Sequence, residues 1–317
     1  MIVRESLLRD VLRLIIWFPF RWLIYLLPIS VSLFIYRRMG DIHYYFNKKK
    51  RGVIETNIKN AFKERINENE LLDIVRKNMQ SHYIDRLIIF LFPKLNKDNI
   101  ENFVSIEGLD FLDAALAKKK GCILVHPHFG PAQLSLCALG HKGYKMNQLG
   151  YRTTDGLSYI GREVQAKTRL KIEENNIPAR MLYVNKFMRP LFTALHNNEV
   201  LMTAGDAGGA SRFIGKYTTA KFFGNDMHFP TGWISLAHKT GASVLPLSLY
   251  QNGRNKYKVV IHAPIHLEAQ TDDTDNILEN VEKFVKILEE DVRTYPHQWH
   301  FWDEFFEGNL LVKTCTS

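Results

Sequence analysis

The stretch Gly121–Ser135, GCILVHPHFGPAQLS, constrains the fold more than any other part of the chain. Cys122 to Val125 is a short, continuous apolar run, the pattern of a strand buried on both faces. His126, Pro127, His128, Phe129 and Gly130 follow, and then Pro131, which suits the first turn of a helix because its missing N–H costs nothing there. The spacing predicts a helix over Ala132–Leu139 with Gly140 as its cap. Two histidines therefore sit where a buried strand ends and a helix begins, the place where open α/β sheets bind ligands. A histidine there can also do no more than cap loose backbone groups, so the reading turns on the rest of the chain.

That remainder alternates. Val104–Glu107 reads as a strand and Leu109–Lys120 as a helix. After Gly140 come a strand at Tyr144–Leu149, a basic helix at Tyr159–Ile172, a strand at Met181–Val184, a helix at Phe187–Asn197 and a strand at Val200–Ala204. Ala207–Phe223 is Gly-rich and reads as irregular, and Thr231–Thr240 as a helix closed by Gly241. Ser243–Tyr250 and Tyr257–Ile265 are the last strands, and Asp272–Thr294 is a long helix. The fold class this implies is α/β, a mixed central sheet flanked by helices. No internal repeat or low-complexity segment interrupts it.

The N-terminal part is different. Residues 11 to 36 read VLRLIIWFPFRWLIYLLPISVSLFIY, too long for a secretory signal and without its cleavage site. Arg21 cuts the apolar run, and Pro19 and Pro28 break the helical ladder, so a clean span of about 20 residues is not present. Trp17, Trp22 and Tyr25 suit a water–lipid boundary, and Arg4, Arg9, Arg13, Arg37, Arg38 and Lys48–Arg51 flank the run on both sides. Residues 1–100 carry 18 Lys and Arg against 10 Asp and Glu, so this third holds nearly all of the net charge of +9. An apolar segment beside basic charge points to an anionic membrane surface. The expectation is a membrane-associating helical segment, residues 1–40, lying in the leaflet, followed by an α/β domain, residues 41–317. A single tilted span and a soluble helix pair are the alternatives. Arg51–Glu64 has helical spacing, and Asn67 with Glu70 makes a capping-box-like start for a helix reaching Leu91. No zinc-ligand spacing or nucleic-acid-binding motif occurs, which argues against a nucleic-acid partner. Cys122, Cys137 and Cys315 are widely spaced and form no disulfide framework.

His128-Phe129-Gly130-Pro131-Ala132-Gln133 resembles the HFGNWE-type block of the late acyltransferases of lipid A biosynthesis, within the lysophospholipid acyltransferase superfamily and its His-x4-Asp/Glu signature. Further blocks fall in the family's order. They are the basic helix KKKRGVIETNIKNAFKE, Gly150-Tyr151-Arg152, Asp206-Ala207-Gly208-Gly209 with Phe222-Phe223-Gly224, Thr231-Gly232 through Leu245-Pro246, and Tyr295-Pro296-His297-Gln298-Trp299. The resemblance covers nearly the whole chain. It implies acyl transfer from an acyl thioester, usually on acyl carrier protein, to a hydroxyl of a membrane glycolipid; coenzyme A as the carrier and another membrane lipid as acceptor are variants, and the Gln at 133 opens the way to an amine acceptor. It implies no metal and no cofactor beyond the thioester co-substrate, and a place on the cytoplasmic face of a bacterial inner membrane.

By the same resemblance His128 is the catalytic base, and Gln133 occupies the position of the acid that orients it. A Gln amide can hold a tautomer but cannot offset a forming positive charge. Three readings follow: His128 works with Gln133 as a neutral orienter, another carboxylate such as Asp206 approaches the ring, or the site binds lipid or acyl carrier without chemistry. His126 is the alternative base. Arg152, at a strand end, could grip a phosphate or headgroup. Asp206, Gly130 and His126 complete the candidate substrate contacts. Arg162, Lys167, Arg169 and Lys171 read as a solvated helix face that could also dock an acidic carrier. A hydrolase would need a nucleophile, and Ser135 lacks a G-x-S-x-G elbow.

Overall fold

The structure is a computed structural model that describes residues 5–150, 154–183, 188–206, 215–267, 274–306 and 310–311. Its N-terminal part is a run of helices. Ser6 caps α1 (Leu7–Ile15) by accepting the Arg9 N–H. A wider helical turn, Ile16–Phe20, absorbs Pro19 without a break and leads into α2 (Arg21–Leu26). The chain does break before Pro28, where Leu27 is extended, as the ring of a following proline requires. Lys94 fills the gap by donating from Nζ to the carbonyls of Ile24 and Leu27. Next come α3 (Ile29–Phe46), α4 (Lys48–Phe62) and α5 (Glu68–Leu87). Asn67 caps α5 by accepting the Glu70 N–H at 3.0 Å.

Residue 40 falls inside α3, so no break in the helix marks the expected boundary there. A Cβ at Gly40 would lie 2.5 Å from Gln80 Cα, which means α3 and α5 touch backbone to backbone. Trp17, Ile24, Leu33 and Tyr36 are buried in the same apolar cluster as Phe90 and Leu124, and Trp17 meets Phe90 edge-on at 5.1 Å. Leu8, Leu12, Ile15, Trp22 and Leu26 face outward and are exposed. Among the described residues no helix is long and apolar enough to cross a membrane.

The α/β part follows as α6 (Ile100–Phe103), β1 (Val104–Glu107), α7 (Leu109–Ala117), β2 (Cys122–His126), α8 (Gln133–His141), β3 (Met146–Gly150), α9 (Lys167–Asn176), β4 (Ala179–Tyr183), α10 (Arg189–His196) and β5 (Val200–Ala204). It ends with β6 (Tyr217–Phe222), β7 (Asn225–Pro230), α11 (Gly232–Thr240), β8 (Ser243–Gln251), β9 (Tyr257–Ile261) and α12 (Thr274–Thr294). Among the described residues seven strands form one sheet in the order β1-β9-β8-β2-β5-β3-β4. Every neighbouring pair is parallel except β8–β9, so the sheet is mixed. Strand β2 lies at its centre with all five residues buried, which is why Cys122–Val125 is continuously apolar. Ile123 and Val125 pack into one layer with Trp233 and Phe284, and Leu124 packs into the other with Leu134 and Ile89. Each such fully buried side chain contributes about 1.5–3 kcal/mol.

Two expectations change. Gly140 lies inside α8 and does not cap it. A Cβ there would sit 2.5 Å from the Pro178 carbonyl oxygen, so close packing against the entry to β4 keeps this residue small. The stretch read as irregular holds β6, which pairs with β7 in an antiparallel hairpin. Phe223 and Gly224 both have positive φ at its turn, the twist that suits a two-residue connection. Residues 207–214 of that stretch lie outside the described residues, as does Cys315. Cys122 and Cys137 are buried free thiols of the core.

Candidate active site

Strands β2 and β5 run parallel with His126 opposite Ala204. Two residues beyond each, at the carboxyl ends, His128 and Asp206 meet. His128 Nδ1 lies 2.6 Å from Asp206 Oδ1, and the His128 backbone N–H donates to Oδ2 at 2.8 Å. Asp206 is fully buried, and the indole N–H of Trp299 reaches the same Oδ2 at 3.4 Å. Gly205 allows this approach: a Cβ there would lie 2.3 Å from Val125 Cγ1 and 2.6 Å from Phe284 Cζ. Its N–H also donates to the His126 carbonyl at 2.8 Å.

The loop carrying His128 is pinned from the other side by residues 298–300. His300 N–H donates to the His128 carbonyl at 3.0 Å, and Gly130 N–H donates to the Gln298 carbonyl at 2.9 Å. Phe129 and Trp299 form an antiparallel bridge between these bonds. Gly130 turns the chain in the left-handed region, with φ +56°, where a side chain would be strained. Trp299 is held in turn by Asn78, whose amide donates to its carbonyl at 2.8 Å, and Phe301 lies 4.9 Å from the His128 ring.

A carboxylate only accepts, so the Asp206 contact fixes the proton on Nδ1 and leaves the His128 Nε2 lone pair free. The imidazole is 37 % exposed and lines a cavity of about 920 Å³. Burial alone would lower its pKa. The charge and hydrogen bond of Asp206 outweigh that and raise it, with smaller help from Asp85 and Glu304. His126 differs in kind. Its Nδ1 meets the Pro127 carbonyl at 2.9 Å, and burial, followed by the neighbouring His128, pushes its pKa down to about 4. It is a neutral wall residue whose hydrogen-bond partner is a backbone carbonyl and not a carboxylate.

The cavity wall is mostly apolar, with Leu149, Leu170, Met181, Leu201 and Leu236 among its residues, and its size is that of a small-molecule site. Asp206, Gly130, His126 and Gln133 all line it. Gln133 does not orient His128. Its side chain turns to α9 and donates to Glu173, so the expectation of a neutral orienter gives way to the second reading, in which Asp206 partners the ring. Arg152 lies outside the described residues. The sequence reading missed Trp299 and His300 as supports of the site, although the Tyr295–Trp299 block had marked their neighbourhood.

The family model for bacterial lipid A biosynthesis acyltransferases matches residues 5–306. A search of curated proteins finds no match.

Proposed function

Because the chain belongs to the bacterial lipid A biosynthesis acyltransferase family, we propose that it moves an acyl group from an acyl thioester, on acyl carrier protein or coenzyme A, to a hydroxyl of a membrane lipid or glycolipid. The observation that carries this reading is the His128–Asp206 pair opening onto a largely apolar cavity. His128 Nε2 takes the proton of the acceptor hydroxyl as its oxygen attacks the thioester carbonyl carbon. The tetrahedral intermediate collapses by breaking the C–S bond, and the departing thiolate takes the proton back from Nε2. Asp206 holds the Nδ1–H tautomer and offsets the charge of the imidazolium between these steps. A base placed in this way contributes about 10²–10⁴-fold.

The acceptor arrives from the membrane. The exposed row Leu8, Leu12, Ile15, Trp22 and Leu26 rests in the lipid interface, and the basic N-terminal third faces anionic headgroups on the cytoplasmic side of the bacterial inner membrane. The test is the mass of membrane lipids on expression of the protein, with His128→Ala as control. A new species heavier by one acyl group, absent with His128→Ala, is expected. Identical lipids in both would refute the reading and favour a lipid or carrier binder.

A further inference from the structure

Gln133, Arg169 and Glu173 close a ring of contacts in the cavity wall, apart from the His128–Asp206 pair. Gln133 opens α8, and Arg169 and Glu173 lie one turn apart on α9. Gln133 Nε2 donates to Glu173 Oε1 at 3.1 Å, and Arg169 Nε donates to the same oxygen at 2.8 Å. Arg169 Nη2 donates to Gln133 Oε1 at 3.4 Å. Glu173 is 6 % exposed, and all three residues line the cavity. The amide uses both its ends here, as donor to the carboxylate and acceptor from the guanidinium. A carboxylate at 133 could only accept and would face the Glu173 oxygen, and one guanidinium would then serve two carboxylates.

We propose that Gln133 and Glu173 form an exchangeable amide–carboxylate pair that holds the Arg169 guanidinium in the cavity wall. Exchanging the two side chains preserves the ring. With Glu at 133 and Gln at 173, the carboxylate accepts from Arg169 and from the new amide, whose oxygen accepts the other guanidinium N–H. Only one carboxylate fits, at either place. Arg169 and Glu173 are thus positioning residues for whatever part of the substrate lies along this wall, and that functional half rests on the acyl-transfer reading.

The experiment is a double-mutant cycle of Gln133→Glu, Glu173→Gln and the exchange of both, read by thermal melting and by the separate kcat and KM for the acyl donor. Each single variant should melt several degrees below the parent, Gln133→Glu from carboxylate repulsion and Glu173→Gln from an uncompensated guanidinium. The exchange should return close to the parent. KM should rise several-fold in Glu173→Gln and recover in the exchange, while Arg169→Lys, which loses the planar fork, should not recover it. Additive losses of melting temperature, with the exchange no better than the worse single variant, would overturn the pairing. Recovery of melting without any change of KM across the cycle would overturn the positioning role. If no form transfers acyl groups, the acyl-transfer reading fails and the melting cycle still decides the pair.

Discussion

Replacing Asp206 by Asn is the sharpest probe of the site, because the surrounding donors dictate how the amide must sit. Asp206 accepts three N–H groups. The His128 backbone at 2.8 Å and the Trp299 indole at 3.4 Å share Oδ2, and the His128 ring at 2.6 Å holds Oδ1. An Asn has one oxygen to offer. With its NH2 toward the first pair it would leave two donors facing donors in a fully buried place, at about 1–3 kcal/mol each. The oxygen therefore takes the Oδ2 place and the NH2 faces the ring. His128 Nδ1 must then accept, its proton moves to Nε2, and the lone pair that should receive the acceptor's proton is gone. The same exchange in serine proteases costs about 10⁴ in kcat through the wrong tautomer, equal to about 5 kcal/mol of barrier. The fold should survive Asp206→Asn, whereas Asp206→Ala leaves both Oδ2 donors unpaired and should cost about 2–6 kcal/mol of stability as well. Initial transfer rates, thermal melting and the ¹⁵N shifts of the His128 ring read these effects separately. An Asn variant that keeps the Nδ1–H tautomer, or works within about tenfold of the parent, would refute the argument.

The remaining expectations concern the same loop and the N-terminal helices. The transfer rate should climb with pH through a His128 pKa above the ordinary value of about 6.5, since the neutral ring is the base. Removing the Asp206 charge should move that limb downward, and a limb that does not move would show that Asp206 is not the source of the shift. His128→Ala should abolish transfer and His126→Ala weaken it less, as rates of the two purified variants would show. Gly205→Ala should destabilise the protein by about 1–3 kcal/mol through overpacking and lower the rate by displacing Asp206, both checked on one preparation. Leu8→Glu with Leu12→Glu, on the exposed row, should reduce sedimentation with anionic vesicles while leaving the melting temperature near the parent's, and unchanged sedimentation would count against the membrane role.

Much of this was legible in the sequence, and the exceptions have physical reasons. The apolar run of β2 and the proline just beyond it identify the strand-to-loop junction because burial on both faces leaves little choice of residue. The partner of His128 was harder. Local spacing points to Gln133, which lies on the next helix, but the strand register brings together residues far apart in sequence. With His126 opposite Ala204, positions 128 and 206 must face each other, and that is visible only once the strand order is known. The hairpin of β6 and β7 was hidden because its turn uses Phe223 at positive φ, an uncommon choice. Tertiary contacts stabilise it: Glu289 accepts the Phe223 N–H at 2.8 Å, and Arg293 lies over its ring. Proline reading was half right, since Pro28 ends a helix and Pro19 does not. The N-terminal segment, residues 1–40, is not a separable appendage either. Ile24, Leu33 and Tyr36 are wholly buried, so deleting them would open the core, and substitutions on the outer face are the cleaner test.

The bridge between Phe129 and Trp299 also sets an order of events during synthesis. The helices that carry the outward apolar row are made first, then the central strands. His128 can meet Asp206 once β5 has emerged. Among the described residues, the backbone clamp on the other side of its loop forms only after residues 298–300 leave the ribosome. A nascent chain can therefore build most of its sheet while the loop that carries His128 is still unclamped on that side.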